Sequence, residues 1–134
     1  VQTALDDLKV QRVDHGNRAL DDAALTARLV RDQTPLTMCP LSNLRLRGIP
    51  SLAQSPVKIA LDAGLLVSVN SDDPSYFGGY LNDNYRAVHE ALELDDHHII
   101  TLAKNSFASA FISDKEKQQA MDKVDSVARK LSTK

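Results

Sequence analysis

Residues 67–80 read Val67-Ser68-Val69-Asn70-Ser71-Asp72-Asp73-Pro74-Ser75-Tyr76-Phe77-Gly78-Gly79-Tyr80, and their reading decides the fold. The apolar run Leu65-Leu66-Val67-Ser68-Val69 predicts a buried strand, and two adjacent carboxylates, Asp72 and Asp73, follow it at once. Pro74 lacks a backbone donor and is expected to stop any regular element there. Neighbouring carboxylates repel unless a cation lies between them or each has its own partner. A metal ion or a ring of hydrogen-bond donors is therefore their natural complement. Asp is also favoured in turns for local reasons, so the dipeptide taken alone fits an ordinary turn better than a site.

Working outward, the same pattern recurs twice upstream. Residues 10–13 predict a short strand that ends at Asp14-His15-Gly16, and Leu36-Thr37-Met38-Cys39 predict another, closed by Pro40 and a polar turn at Ser42-Asn43. Helices separate them. Ala4, Leu5 and Leu8 form the apolar face of an opening helix. Asp21 and Asp22 offer caps to a helix with the stripe Leu25, Leu29 and Val30, which stops before Pro35. Ser55 as N-cap, Pro56 at the first helical position and Gly64 past the end bracket a further helix with Val57, Ala60 and Leu61 inside. Alternating strands and helices with short connections predict an α/β fold with a parallel sheet. Ligands bind beyond the carboxyl ends of such strands, and His15, the turn 39–43, Asp72 and Asp73 all fall there.

Downstream the pattern is helical. Residues 81–92 carry Val88, Ala91 and Leu92. Asp95 or Asp96 can cap a helix through Ile99, Leu102, Ala103, Phe107 and Phe111. Ser113 with Glu116 is a capping box for a last helix with the stripe Met121, Val124, Ala128 and Leu131. His89 reads as helix surface, and the adjacent pair His97-His98 diverges on a helix, so both are expected to be exposed rather than to hold a metal. Gly78-Gly79 fits a tight turn, and Cys39 a buried thiol at a strand end rather than a nucleophile.

Composition narrows the function classes. With 134 residues, 43% hydrophobic and 25% charged, the chain can build a core and is not of the disordered type. A net charge of −2 with few aromatics excludes a nucleic-acid stacking platform. One cysteine excludes an internal disulfide or a cysteine-rich zinc module and fits a reducing cytoplasm. No apolar run is long enough to span a bilayer.

Four motifs in order carry a resemblance: Arg12-Val13-Asp14-His15-Gly16, Met38-Cys39-Pro40-Leu41-Ser42-Asn43, residues 69–80, and Ala103-Lys104-Asn105-Ser106-Phe107. The chain resembles the zinc-dependent adenosine and adenine deaminase superfamily, and Ser75 to Tyr80 resembles its adenine deaminase branch. The resemblance implies the last three βα units of a (β/α)8 barrel of TIM type, followed by C-terminal helices. Residues 1–134 would then be a C-terminal fragment of one barrel domain, in keeping with a chain that opens at Val1 directly into a helix. It implies Asp72 as a Zn(2+) ligand and proton acceptor, Asp73 as a hydrogen-bond partner of the purine near N7, and His15 as the catalytic group that orients the metal-activated water for attack at C6. Adenine and water would be the partners, and hypoxanthine and ammonia the products, with adenosine as the alternative substrate. The superfamily's His-x-His pair, further His and acid Glu have no counterpart here, so the chain alone is expected to bind zinc poorly and not to deaminate. Exposed barrel edges would favour self-association. The alternative from another class is a non-catalytic purine-binding or interaction module.

Overall fold

The computed structural model describes residues 1–132. Three parallel strands form one sheet in the order β1 (Val13–Asp14), β2 (Leu36–Met38), β3 (Val67–Val69), with Val13 opposite Leu36 and Leu36 opposite Val67. The α/β class with a parallel sheet stands as expected. The helices are α1 (Gln2–Asp6), α2 (Ala23–Asp32), α3 (Pro40–Arg45), α4 (Val57–Asp62), α5 (Pro74–Phe77), α6 (Leu81–Leu92), α7 (Asp96–Ala108) and α8 (Asp114–Ser132).

Strand register sorts the side chains by chemistry. Leu36, Met38, Val67 and Val69 are buried toward the helices, whereas Asp14, Thr37 and Ser68 lie side by side on the other face. Thr37 Oγ1 donates to Asp14 Oδ1 at 2.8 Å along that polar row, holding the Asp14 carboxyl below its usual range. A parallel strand buried on both faces is what an apolar run such as 65–69 encodes. Its core partners are Leu29, Val57, Ala60, Val88 and Leu102, all at most 1% exposed.

Several boundaries differ from the sequence reading, each for a physical reason. The first strand is Val13–Asp14 rather than residues 10–13, because only those two residues pair with β2. Leu8 is exposed, so Leu5 is the buried residue of α1, which Asp6 also ties to Arg28 of α2. Pro40 follows the end of β2 as read, but both it and Pro74 also start regular structure: each occupies the first turn of a short helix, where its missing N–H costs nothing. The expected polar turn at Ser42-Asn43 is thus the body of α3. Ser55 does not cap α4; its Oγ is buried without a partner among the described residues, and Pro56 holds the cap position. Asp22, not Asp21, caps α2, accepting from the N–H groups of Ala24 and Leu25 at 2.8 and 3.0 Å. Helix α7 ends at Ala108, short of Phe111.

The capping box at Ser113 forms as read, and of the two candidates Asp95 and Asp96 it is Asp95 that caps α7. His97 is exposed, but His98 is not: its Nδ1 meets Asp95 Oδ1 at 2.5 Å and its Nε2 meets Asp62 Oδ1 at 3.2 Å, tying α7 to the end of α4. Asn105 Nδ2 donates to the Val67 carbonyl at 2.9 Å, fastening α7 to β3. Helix α8 lies along α7, joined by Lys104 to Asp125 at 2.9 Å, with Leu131 still exposed. Among the described residues no helix is long and apolar enough to cross a membrane.

Candidate functional site

The carboxyl ends of all three strands converge on one mouth of about 300 Å³, lined by Arg12, Asp14, His15, Thr37, Cys39, Asn70 and Asp72. His15 follows β1 immediately, and its backbone N–H donates to the Thr37 carbonyl at 2.9 Å. Its φ of 62° is left-handed, as is the 56° of Asp72 beyond β3. His and Asp are among the few non-glycine residues that enter this region with any frequency, and such conformations collect at functional sites. Gly16 continues the turn at φ +69°, and a Cβ there would lie 2.9 Å from Leu36 Cδ2 in the core.

Two side chains meet across the mouth: His15 Nε2 lies 3.6 Å from Asp72 Oδ2. Each is held from α3 by consecutive buried residues. Ser42 Oγ donates to Asp72 Oδ2 at 2.7 Å, and Asn43 Oδ1 meets His15 Nδ1 at 2.8 Å. The sequence reading placed Ser42 and Asn43 at a strand end but gave them no role. The motif Pro40-Leu41-Ser42-Asn43 was the available signal, and its helical form is what turns both side chains inward. Helix α3 is in turn pinned by Asn84, a fully buried polar residue of α6 whose Oδ1 accepts from the Leu41 N–H at 3.1 Å. The available signal was its position one turn before Val88, on the buried stripe of α6, where a polar residue needs a partner.

Asp73 has a separate partner. Its Oδ1 accepts from the Tyr76 N–H at 3.1 Å and caps α5, which explains how adjacent carboxylates coexist: Asp72 has Ser42, and Asp73 has a helix N-terminus. Gly78 ends α5 at φ +77°, while Gly79 is packed so closely on Leu41 that a Cβ would collide with its Cδ1. The Gly-Gly pair is therefore a tight turn, as expected.

Cys39 is the third potential ligand here; donor atoms of His15, Cys39 and Asp72 all lie within 4.8 Å of one another. Burial, reinforced by the negative charges of Asp72 and Asp14, pushes the Cys39 thiol up to about 11. It is therefore a neutral thiol at physiological pH. Alkylation of the folded chain by iodoacetamide at pH 8 is expected to be negligible, and fast once urea exposes Cys39; rapid modification of the folded form would contradict this placement. The linkage has a definite sign. Below the unfolded value near 9.0 both states hold the proton, whereas between about 9 and 11 only the unfolded state loses it, so Cys39 lowers stability as pH rises through that window.

A family model described as adenosine deaminase matches residues 1–127. The adenine deaminase of Caulobacter vibrioides is 58% identical over 128 residues, covering 96% of this chain and 37% of that protein. The crystal structure of adenine deaminase from Arthrobacter aurescens superimposes with a TM-score of 0.92 at 47% identity, over 96% of this chain and 39% of that one. An amidohydrolase from Burkhoderia ambifaria, solved with bound Zn, shares the fold at a TM-score of 0.85 and 24% identity, over 99% of this chain and 38% of that one. The α/β fold is accordingly that of a partial amidohydrolase barrel of the TIM type, and the chain spans less than two fifths of the length of the relatives it matches. Because the family match runs through all three strand ends that build the mouth, the chain belongs to the adenosine deaminase family.

Proposed function

We propose that this chain carries His15, Asp72 and Asp73 for the zinc-dependent hydrolytic deamination of adenine, within one barrel domain that also requires strands found in its longer relatives. The observation that carries this reading is the meeting of His15 and Asp72 at the strand ends, each held by a buried side chain of α3. The donor set fits a share of a zinc site: Asp72 supplies a carboxylate oxygen and His15 lies beside it, while Cys39 remains a protonated thiol. When bound, zinc would lower the pKa of a water toward ~7.

The chain's own residues do the rest. Asp72 takes a proton from the attacking water as its oxygen bonds to C6 of the purine, and returns that proton to the amino group, which leaves as ammonia when the C6–N bond breaks. His15 orients that water through its Nε2, and the carboxylate oxygen of Asp73 not used to cap α5 is available to the purine near N7. Free adenine is preferred over adenosine, a choice supported by the activities named for the relatives above 45% identity. One convincing metal ligand is short of the three that a catalytic zinc takes, so the isolated chain is inactive.

A graft tests this. The segment of Caulobacter vibrioides adenine deaminase that matches this chain is replaced by this chain, and ammonia release is followed with adenine and with adenosine. Adenine turnover comparable with the parent's, with none from the isolated chain plus zinc, is expected. A folded but inactive graft would sink the reading, and preference for adenosine would correct the substrate.

A further inference from the structure

We infer that Asn43, held by Asn17, is a positioning residue that fixes His15 in the tautomer with its proton on Nδ1. Asn43 is 4% exposed, and both ends of its amide are committed: Oδ1 lies 2.8 Å from His15 Nδ1, and Nδ2 donates to Asn17 Oδ1 at 2.8 Å. An amide oxygen only accepts, so His15 donates from Nδ1, and in the neutral ring it is Nε2 that carries the lone pair. That nitrogen is the one that faces Asp72, 3.6 Å from its Oδ2. The Oδ2 atom is itself engaged by the Ser42 hydroxyl at 2.7 Å. At 3.6 Å the Asp72 carboxylate lies beyond hydrogen-bond reach of Nε2, whereas the Asn43 contact at 2.8 Å is a full hydrogen bond and decides the tautomer.

The Asn43 backbone cannot swing to relax these bonds. Its carbonyl accepts from the N–H groups of Gly48 and Ile49 at 2.8 and 3.2 Å, and α3 is anchored two residues earlier, at Leu41, by Asn84. The His15 ring is aimed by a left-handed backbone that Gly16 and the Thr37 carbonyl hold in place. Asn17, Asn43 and His15 thus form a directed chain of hydrogen bonds leading to the mouth. Reversing the whole chain, with Asn17 donating to Asn43 and Asn43 to His15, would place the proton on Nε2. The inference rests on the proposed deamination only for its consequence: a neutral imidazole with a free Nε2 accepts a hydrogen bond from the attacking water, whereas the reversed tautomer could only donate.

Side-chain nitrogen NMR of the 15N-labelled 134-residue chain, at a pH where its imidazoles are neutral, reads the tautomer directly. His15 is expected as Nδ1–H. Asn43→Asp, whose carboxylate still accepts, is expected to keep that form, and Asn43→Leu to lose it. Nε2–H in the unaltered chain, or an unchanged tautomer in a folded Asn43→Leu, would overturn the inference. Should Asn43→Leu lose its dispersed amide spectrum, Asn17→Leu, which frees the Asn43 amide to rotate, is expected to give a mixture of tautomers, and an unmixed Nδ1–H form there would overturn it equally. In the graft, Asn43→Leu should lower kcat about 10–100-fold with a smaller effect on KM, and Asn43→Asp should restore most of it. If the graft with Asn43 intact is inactive, the deaminase reading falls, while the ring-nitrogen spectrum still decides the tautomer.

Discussion

Asp72→Asn in the grafted enzyme is expected to lower adenine turnover by about a thousandfold or more, the scale associated with losing a general base, while leaving the fold intact. Asparagine is the informative substitution because it keeps what holds the position together. Its amide oxygen still accepts from Ser42 Oγ, and it tolerates the left-handed φ of 56° that alanine would strain. Only the charge is removed, and with it the proton acceptor and the anionic ligand. Kinetics of ammonia release, together with urea unfolding of the 134-residue chain, separate the two effects. Turnover within tenfold of the parent would remove Asp72 from the chemistry. A parallel comparison at Asp73 divides its two roles: Asp73→Asn preserves the α5 cap, whereas Asp73→Ala loses it at a cost of about 1 kcal/mol.

The largest effect on stability is expected at Leu102. It is fully buried where α7 crosses β3, and Leu102→Ala should cost about 2–5 kcal/mol, the lost transfer free energy plus the cavity left behind. Leu131→Ala on α8 serves as the contrast. That side chain is 67% exposed, and its removal should change stability by less than about 0.5 kcal/mol. Urea midpoints for the two variants check the pair. Equal effects would mean that α7 does not pack on the sheet as described.

The strand ends were legible because their chemistry is local. An apolar run that ends in a carboxylate pair, or in Asp-His-Gly, carries its own signal, and the cap at Asp95 and the capping box at Ser113 depend only on residues three apart. The helices that begin at Pro40 and Pro74 were not legible, although β2 does end before Pro40. The same missing N–H that ends a helix from inside is harmless at its first turn, and only the surrounding chain decides which applies. His98 was misread for a related reason, since its second partner, Asp62, lies 36 residues away.

By itself, then, the sequence determined the parallel α/β class, the order of its elements, and the placement of His15, Asp72 and Asp73 after strands, because periodicity and turn chemistry act over a few residues. Only the tertiary structure decided what holds those groups. Ser42 reaches Asp72 across 30 positions, Asn43 reaches His15 across 28, and Asn84 reaches the Leu41 N–H across 43. A buried polar side chain must find its partner wherever packing brings one, and no local pattern records that choice.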